Sequence, residues 1–182
     1  MNYKDEYKKW CKLTYLSDDL KKELKRIEND EETIKNQFSN YVEFGTAGMR
    51  GTMGVGPAMM NLLTVRRTTI GLAKYIVKNK SETKGVIVTY DCRNNSKKFA
   101  NYIASVLSEF NIKVWVSEGL RPTPFLSYAV INMKAFAGIN ITASHNRKED
   151  NGYKIYLSDG AQFSSPDDQR IIKLVNEVTD KE

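Results

Sequence analysis

The stretch that decides the fold occupies residues 135–146 and reads Ala-Phe-Ala-Gly-Ile-Asn-Ile-Thr-Ala-Ser-His-Asn. Its first half, Ala135 to Ile141, is apolar with β-branched isoleucines, a pattern that predicts a buried strand. Ser144 follows at once, so we expect it at the carboxyl end of this strand, where open α/β sheets bind their ligands. A serine hydroxyl is a poor nucleophile without an activating neighbour, and His145 is next in the sequence. The stretch therefore predicts a reactive serine at a sheet edge.

Strand and helix signals alternate from residue 41 onward. Helical periodicity and capping residues predict helices, the second of them capped by Ser96, and short apolar runs predict strands. The alternation predicts an α/β fold, a three-layer α/β/α sandwich with a mixed, mostly parallel sheet. At 182 residues, the chain is long enough for one such domain with an appendage. The predicted helices are 63–77, 96–110, 123–132 and 167–178, and the predicted strands are 85–89, 113–117, 135–141 and 153–157.

Residues 3–38 are predicted to form a helical appendage. Apolar side chains recur there at helical spacing, and Ser17 and Asp30 are suitable N-caps for its second and third helices. Each helix has one apolar stripe, which either packs on the outside of the α/β domain or offers a docking surface to a partner. The predicted organisation is a helical extension over residues 1–40 and an α/β domain over residues 41–182.

Composition and charge narrow the class of protein. No apolar run approaches the roughly 18 residues of a membrane span, and the N-terminus lacks the apolar core of a signal peptide. Two isolated cysteines, Cys11 and Cys92, do not form a disulfide framework. We therefore expect no membrane partner and a cytoplasmic location.

The net charge of +6 is unevenly distributed. The first 40 residues hold nine basic and nine acidic side chains, so the whole excess falls on residues 41–182 and favours anionic partners. No nucleic-acid module signature accompanies it, so nucleic acid is not the expected partner. Small phosphorylated ligands are the better match.

Two arginines and the serine loop are candidate phosphate ligands. Arg50 lies in a glycine-rich stretch whose spacing fits neither a dinucleotide fingerprint nor a P-loop, and its planar fork suits a phosphate. Arg93 follows a predicted strand end, as Ser144 does, and is either a phosphate ligand, an ion-pair partner of Asp91 or a helix cap. If the Ser144 loop opens a helix, its N–H groups and the helix dipole favour an anion, and Asn146 helps to fix the turn.

Three motifs in this order resemble domain I of the α-D-phosphohexomutases, the phosphoglucomutase and phosphomannomutase superfamily. They are Phe-Gly-Thr-Ala-Gly-Met-Arg-Gly at residues 44–51, Tyr-Asp-Cys-Arg at 90–93, and Thr-Ala-Ser-His-Asn at 142–146 followed by Asn-Gly-Tyr-Lys at 151–154. The resemblance covers the chain from about Tyr41 to its C-terminus. The helical extension is similar to that of one subgroup, the phosphoglucomutases and phosphopentomutases.

The resemblance implies roles for individual residues. Ser144 would carry a phosphoryl group and hand it to a sugar phosphate. His145 would orient that group or move a proton, and Lys154 would fold back toward it. The remaining positions matching the family's phosphate-binding motifs are Arg50, Thr46, Arg93 and Asn146.

The resemblance also implies an activity. The enzyme would be a magnesium-dependent isomerase that interconverts glucose 1-phosphate and glucose 6-phosphate through a bisphosphate, with glucose 1,6-bisphosphate as activator. The family's metal loop, Asp-x-Asp-x-Asp-Arg, lies in a second domain and has no match here, so Ser144 would contact magnesium through its phosphate alone. We expect the remaining domains of the same polypeptide to complete the site, and this chain alone to be inactive.

Two alternatives stay open. One is a sibling enzyme, a phosphopentomutase, phosphomannomutase or glucose-1,6-bisphosphate synthase, because sugar choice would depend on the other domains. The other is a non-catalytic module that binds sugar phosphates or a protein.

Overall fold

The computed structural model describes residues 2–45 and 48–179. These residues form seven helices and one six-stranded mixed sheet, which confirms the predicted α/β sandwich. The helices are α1 (Tyr3–Cys11), α2 (Asp18–Arg26), α3 (Glu31–Phe38), α4 (Leu62–Lys78), α5 (Ser96–Glu109), α6 (Thr123–Asn132) and α7 (Asp167–Asn176). The strands are β1 (Phe44–Gly45), β2 (Gly48–Thr52), β3 (Val86–Tyr90), β4 (Val114–Val116), β5 (Ala137–Ile141) and β6 (Asp150–Leu157).

The strand order in the sheet is β1-β2-β6-β5-β3-β4. Strands β5, β3 and β4 pair in parallel, whereas β6 is antiparallel to both β5 and β2. Four of the six strands therefore point the same way, although all three pairings on the β1 side, from β1 to β5, are antiparallel. The cause is the short turn between β5 and β6, because a strand that returns directly beside its predecessor must run against it.

The two faces of the sheet are covered unequally. Val86 and Val88 face a core shared with Leu72 of α4, Ile103 of α5 and Ile171 of α7. Ile87, which points to the opposite face, packs with residues of α6, including Leu126 and Val130. Helix α6 forms the third layer. Strands β2 and β6 lie toward one edge of the sheet.

Two local features differ from the sequence-based prediction. Strand β2 lies inside the glycine-rich stretch, where no strand was predicted, because it forms by pairing with β1 and β6 and its glycines carry no strand preference of their own. Ser96 is the first residue of α5, and Asn95, with φ +63°, is the N-cap. The Ser96 hydroxyl instead donates to Asp91 Oδ1 at 2.8 Å.

The helical extension packs on the α/β domain, in agreement with the first of its two interpretations. Its hydrophobic core includes Trp10 and Phe38. Val55, from the loop after β2, packs in the same core. Glu23 Oε2 accepts a hydrogen bond from the Val55 N–H at 3.2 Å, and the Gln37 carbonyl accepts one from the Ala58 N–H at 3.0 Å. The extension therefore holds the loop that follows β2. No helix in the described ranges is long and apolar enough to cross a membrane.

Candidate functional site

Ser144 lies just past the carboxyl end of β5, at the same sheet edge as the end of β3. Strands β5 and β3 are parallel neighbours, and Ile141 is paired with Tyr90 at their last positions. The segments that follow therefore emerge side by side, one carrying Ser144 and the other carrying Arg93. Ser144 is exposed and has φ +57°, a left-handed conformation that is uncommon outside glycine. Its N–H donates to Thr142 Oγ1 at 3.0 Å, which helps to hold this conformation.

His145 is exposed and its ring lies beside the serine hydroxyl. The Nδ1 atom is 3.5 Å from Ser144 Oγ, the outer limit of a hydrogen bond. His145 thus lies where it can exchange a proton with the serine or with a group attached to it.

The segment after Ser144 does not open a helix, so the condition for anion binding at a helix N-terminus in this loop is not met. The chain turns through residues 144–149 and returns as β6, with Tyr153 opposite Ile141. The antiparallel return leaves no room for a helix between the two strands. No helix begins within this loop, so we look to cationic side chains for binding of an anion there.

Arg50 and Lys154 supply two such cations on one face of the sheet. Arg50 on β2 is paired with Gly152 on β6, so Lys154, two residues further along β6, projects from the same face as Gly152. Burial lowers the pKa of the Lys154 ammonium, and the positive charge of Arg50 lowers it further. Across residues 2–45 and 48–179, the Lys154 ammonium has no hydrogen-bond or ion-pair partner. Two neighbouring cations, one of them unpaired, form an attractive site for a phosphate.

Asn146 connects this cationic pair to the serine loop. Its Oδ1 accepts a hydrogen bond from Arg50 Nη1 at 3.1 Å, and its Nδ2 donates to Asp150 Oδ2 at 2.9 Å. Thr52 Oγ1 donates to the other carboxylate oxygen of Asp150 at 2.8 Å. Hydrogen bonds from Asn146 and Thr52 lower the pKa of Asp150, so its carboxylate remains charged. Both ends of the Asn146 amide are thus engaged in hydrogen bonds. This favours a role for Asn146 in orienting Arg50 over one in binding phosphate directly.

Arg93 contacts the backbone of the serine loop. Its terminal nitrogens donate to four backbone carbonyls of the serine loop, at distances of 2.6–3.1 Å, and its Nε lies 3.4 Å from Asp91 Oδ2. The ion pair with Asp91 that the sequence left open is therefore present. With its donors directed at carbonyls and a carboxylate, Arg93 is not placed as a phosphate ligand. Thr46, the other predicted ligand, lies outside the described residues.

The described residues do not fit a complete magnesium site. No group of three or more His, Cys, Asp or Glu side chains in them is arranged to hold a metal ion. Two carboxylates that contact the loop are already engaged, Asp91 with Arg93 and Ser96, and Asp150 with Asn146 and Thr52. Magnesium prefers oxygen ligands with several carboxylates or phosphates, and this edge of the sheet offers mainly cations.

Sequence reasoning missed the polar residues that support the loop. Asn151 belongs to a quoted motif but was assigned no role, and Asp91 was considered only as an ion-pair partner of Arg93. Asn151 is fully buried, and its Nδ2 donates to Ser96 Oγ at 2.9 Å and to the Asn94 carbonyl at 3.0 Å. Buried amides must find partners, but the burial of Asn151 is evident only from the structure, since the strand was predicted to begin at residue 153.

Comparison with known proteins identifies the family. Residues 41–182 match the family described as phosphoglucomutase/phosphomannomutase, alpha/beta/alpha domain I. The chain therefore belongs to the phosphoglucomutase/phosphomannomutase family. A protein assigned as a phosphomannomutase from Thermus thermophilus has a similar structure, with a TM-score of 0.69 and 29% identity over 75% of this chain and 30% of that one.

Several curated relatives have similar degrees of identity. Phosphopentomutase of Homo sapiens is 40% identical over 82% of this chain and 26% of its own length. Glucose 1,6-bisphosphate synthase of Mus musculus is 39% identical over 94% of this chain and 29% of its own length. Phosphoglucomutase of Staphylococcus aureus (strain MRSA252) is 38% identical over 94% of this chain and 30% of its own length. The chain thus spans less than a third of the length of these relatives.

Proposed function

We propose that Ser144 is the phosphoryl carrier of a phosphohexomutase, and that the complete polypeptide interconverts glucose 1-phosphate and glucose 6-phosphate. The observation that carries this proposal is the pair of cations, Arg50 and Lys154, on the sheet face beside the Ser144 loop. Phosphoryl transfer chiefly requires positioning and cancellation of charge on the transferring oxygens. An exposed serine lies beside these two cations, and one of them, Lys154, has no partner among the described residues. This arrangement supports that chemistry.

The proposed reaction begins with a phosphoryl group on Ser144 Oγ. A hydroxyl of the sugar monophosphate attacks phosphorus, the bond from phosphorus to Ser144 Oγ breaks, and a sugar bisphosphate forms. The attacking hydroxyl loses its proton, and the serine oxygen becomes protonated. The bisphosphate then turns over, and its other phosphoryl group returns to Ser144, which leaves the isomeric monophosphate. Glucose 1,6-bisphosphate would act as activator by phosphorylating Ser144 directly.

The neighbouring side chains have separate tasks in this reaction. Arg50 contributes fixed positive charge to the transferring oxygens, and Asn146 orients it. Lys154 contributes charge as an ammonium, and its lowered pKa also makes it a better proton donor than an ordinary lysine. His145, with Nδ1 3.5 Å from Ser144 Oγ, is suited to returning a proton to the serine oxygen.

Magnesium and the rest of the substrate site are proposed to depend on other parts of the polypeptide. Because the described residues offer no carboxylate cluster, the phosphoryl group on Ser144 would be this region's contribution to a metal ion, and no step is assigned to the metal. The remaining domains of the same polypeptide would recognise the sugar and its distal phosphate. We also propose a cytoplasmic location, since both cysteines are free and exposed, as a reducing compartment allows.

The test is phosphorylation of Ser144 in the complete polypeptide. After incubation with glucose 1,6-bisphosphate, intact mass and peptide mapping should place about 80 Da on Ser144, the mass of one phosphoryl group. Ser144→Ala should lose the label and the mutase activity. Ser158→Ala, at an exposed serine just after β6, is the matched control and should keep both. Label on another residue, or full activity in Ser144→Ala, would overturn the proposal.

The same preparation distinguishes the alternatives. Parallel assays with glucose 1-phosphate, ribose 1-phosphate and mannose 1-phosphate separate the sibling mutases, and formation of glucose 1,6-bisphosphate identifies a synthase. Binding of sugar phosphates without label or turnover would favour the non-catalytic module.

A further inference from the structure

Arg93 is the most heavily engaged side chain at the serine loop. Nη1 donates to the carbonyls of Arg147 at 2.6 Å and Asp150 at 3.1 Å. Nη2 donates to the carbonyls of Ser144 and Asn146, both at 2.8 Å. One guanidinium therefore binds four carbonyls spread along the whole turn from β5 to β6.

This role depends on the shape of the arginine side chain. The turn has no regular secondary structure, so its carbonyls need partners from elsewhere. A guanidinium presents its N–H groups in a fixed planar fork, whereas a lysine ammonium is a single point with fewer donors on a flexible stem. Lysine would keep the charge but could not bridge carbonyls on both sides of the turn.

The other end of Arg93 is anchored in a buried polar network. The Arg93 side chain is only 12% exposed, and its Nε lies 3.4 Å from Asp91 Oδ2. The Arg93 N–H donates to Asp91 Oδ1 at 2.9 Å, and Ser96 Oγ donates to the same oxygen at 2.8 Å. Ser96 in turn accepts a hydrogen bond from Asn151 at 2.9 Å, and both of these side chains are fully buried. The network joins the end of β3, the start of α5 and the start of β6.

We infer that Arg93 is a positioning residue that fixes the backbone of residues 144–150, and through it the left-handed conformation of Ser144. By holding the Ser144 and Asn146 carbonyls together, Arg93 also sets the place of the Asn146 amide that contacts Arg50. Its catalytic effect is therefore exerted through Ser144 and Arg50, without contact with the transferring phosphoryl group. The catalytic part of this inference rests on the proposed function, whereas the positioning part does not.

The first measurement is independent of activity. In the complete polypeptide, Arg93→Lys should speed backbone amide hydrogen exchange within residues 144–150 by about tenfold or more, as expected when local hydrogen bonds that close the turn are lost. Arg66→Lys is the matched control, because Arg66 makes a two-point ion pair with Glu109 away from the loop. It should leave exchange in the loop unchanged. Equal loop exchange in Arg93→Lys and the parent would overturn the inference, whether or not the polypeptide is a mutase.

The second measurement tests the effect on Ser144. Single-turnover phosphorylation of Ser144 by glucose 1,6-bisphosphate should slow by about a hundredfold in Arg93→Gly, the loss typical of a small misplacement of a reacting group, with little change in KM for the sugar phosphate. Added guanidinium ion should restore part of the rate in Arg93→Gly and should leave the rate of Arg66→Gly, which we expect to equal that of the parent, unchanged. A general loss of stability would not give such a recovery. If the parent labels Ser144 and Arg93→Gly labels it at the same rate, the catalytic role alone would be overturned. A parent without label would instead count against the proposed function.

Discussion

Arg50 Nη1 and Asn146 Oδ1 lie 3.1 Å apart, and this hydrogen bond links two segments that are 96 residues apart in the sequence. Arg50 is exposed on β2, whereas Asn146 belongs to the turn that carries Ser144. A long, exposed arginine has many conformations of similar energy, so a single oriented acceptor selects among them. The hydrogen bond therefore orients the Arg50 guanidinium on β2 toward the loop that follows β5.

Replacing Asn146 with aspartate should disturb its contact with Arg50, although the two side chains are nearly the same size. In Asn146→Asp, a carboxylate would face Asp150 at the position where the amide now donates at 2.9 Å, and it would also neutralise Arg50. We expect phosphorylation of Ser144 to slow by at least about tenfold, because charge needed by the transferring group is cancelled. The control is Asn132→Asp at the exposed end of α6, which should have the parent rate. Single-turnover labelling decides between them, and an unchanged rate in Asn146→Asp would show that Asn146 does not orient Arg50.

Removing the charge of Arg50 or of Lys154 should affect the turnover rate far more than the folding stability. Arg50→Ala and Lys154→Ala should each lower the turnover rate of the complete polypeptide by roughly a hundredfold or more, as seen when one stabilising donor is removed from a reacting centre. Lys148→Ala, at an exposed lysine in the serine loop, should have little effect. Steady-state kinetics should be paired with thermal unfolding. A normal rate would show that the residue is a surface charge, and a variant that fails to fold would show a structural role.

The position of Ser144 could be predicted from sequence because local signals define it. The run from Ala137 to Ile141 is mainly apolar and is buried on both faces, and the polar residues after it mark the strand end. The N-cap role of Asp30 was equally local, since its side chain accepts from the Thr33 N–H only three residues away. Predictions of this kind depend on spacing within a few residues.

The role of Arg93 could not be predicted in the same way. Its partners are backbone carbonyls 51–57 residues away, and a carbonyl carries no side-chain signature. Strand β2 was missed for a related reason, because its pairing with β6 joins positions about 100 residues apart and its glycines have little intrinsic preference for a strand. The sequence left open whether the Ser144 loop begins a helix, because the β5–β6 pairing that returns the chain directly joins two separate strands.

Lys154 should make folding stability depend on alkaline pH. Its pKa is lowered from the ordinary value of 10.5, first by burial and then by Arg50. Between the folded-state pKa and 10.5, the unfolded chain binds more protons than the folded chain, so the stability of the parent rises with pH across that window. Lys154→Met has no such titration. Its stability advantage over the parent should therefore be greatest at neutral pH and shrink as the pH approaches 10.5.

Urea unfolding of the parent and of Lys154→Met at a series of pH values measures this difference. Lys148→Met, at an exposed lysine of the serine loop, is the matched charge-removal control and is measured in parallel. A constant difference between the parent and Lys154→Met would mean that the folded chain does not lower the pKa of this ammonium.

The 182-residue chain on its own should fold, yet it should show no mutase turnover and no tight magnesium binding. Folding is expected because the sheet and helices of the described residues enclose a continuous core, which reaches from Met49 on β2 to Val175 on α7. Catalysis is not expected, because the chain spans only 26–30% of the length of the relatives compared above. Circular dichroism tests folding, a coupled glucose 6-phosphate assay tests turnover, and calorimetric titration tests magnesium binding. Measurable turnover or micromolar magnesium binding would mean that this chain holds a complete site.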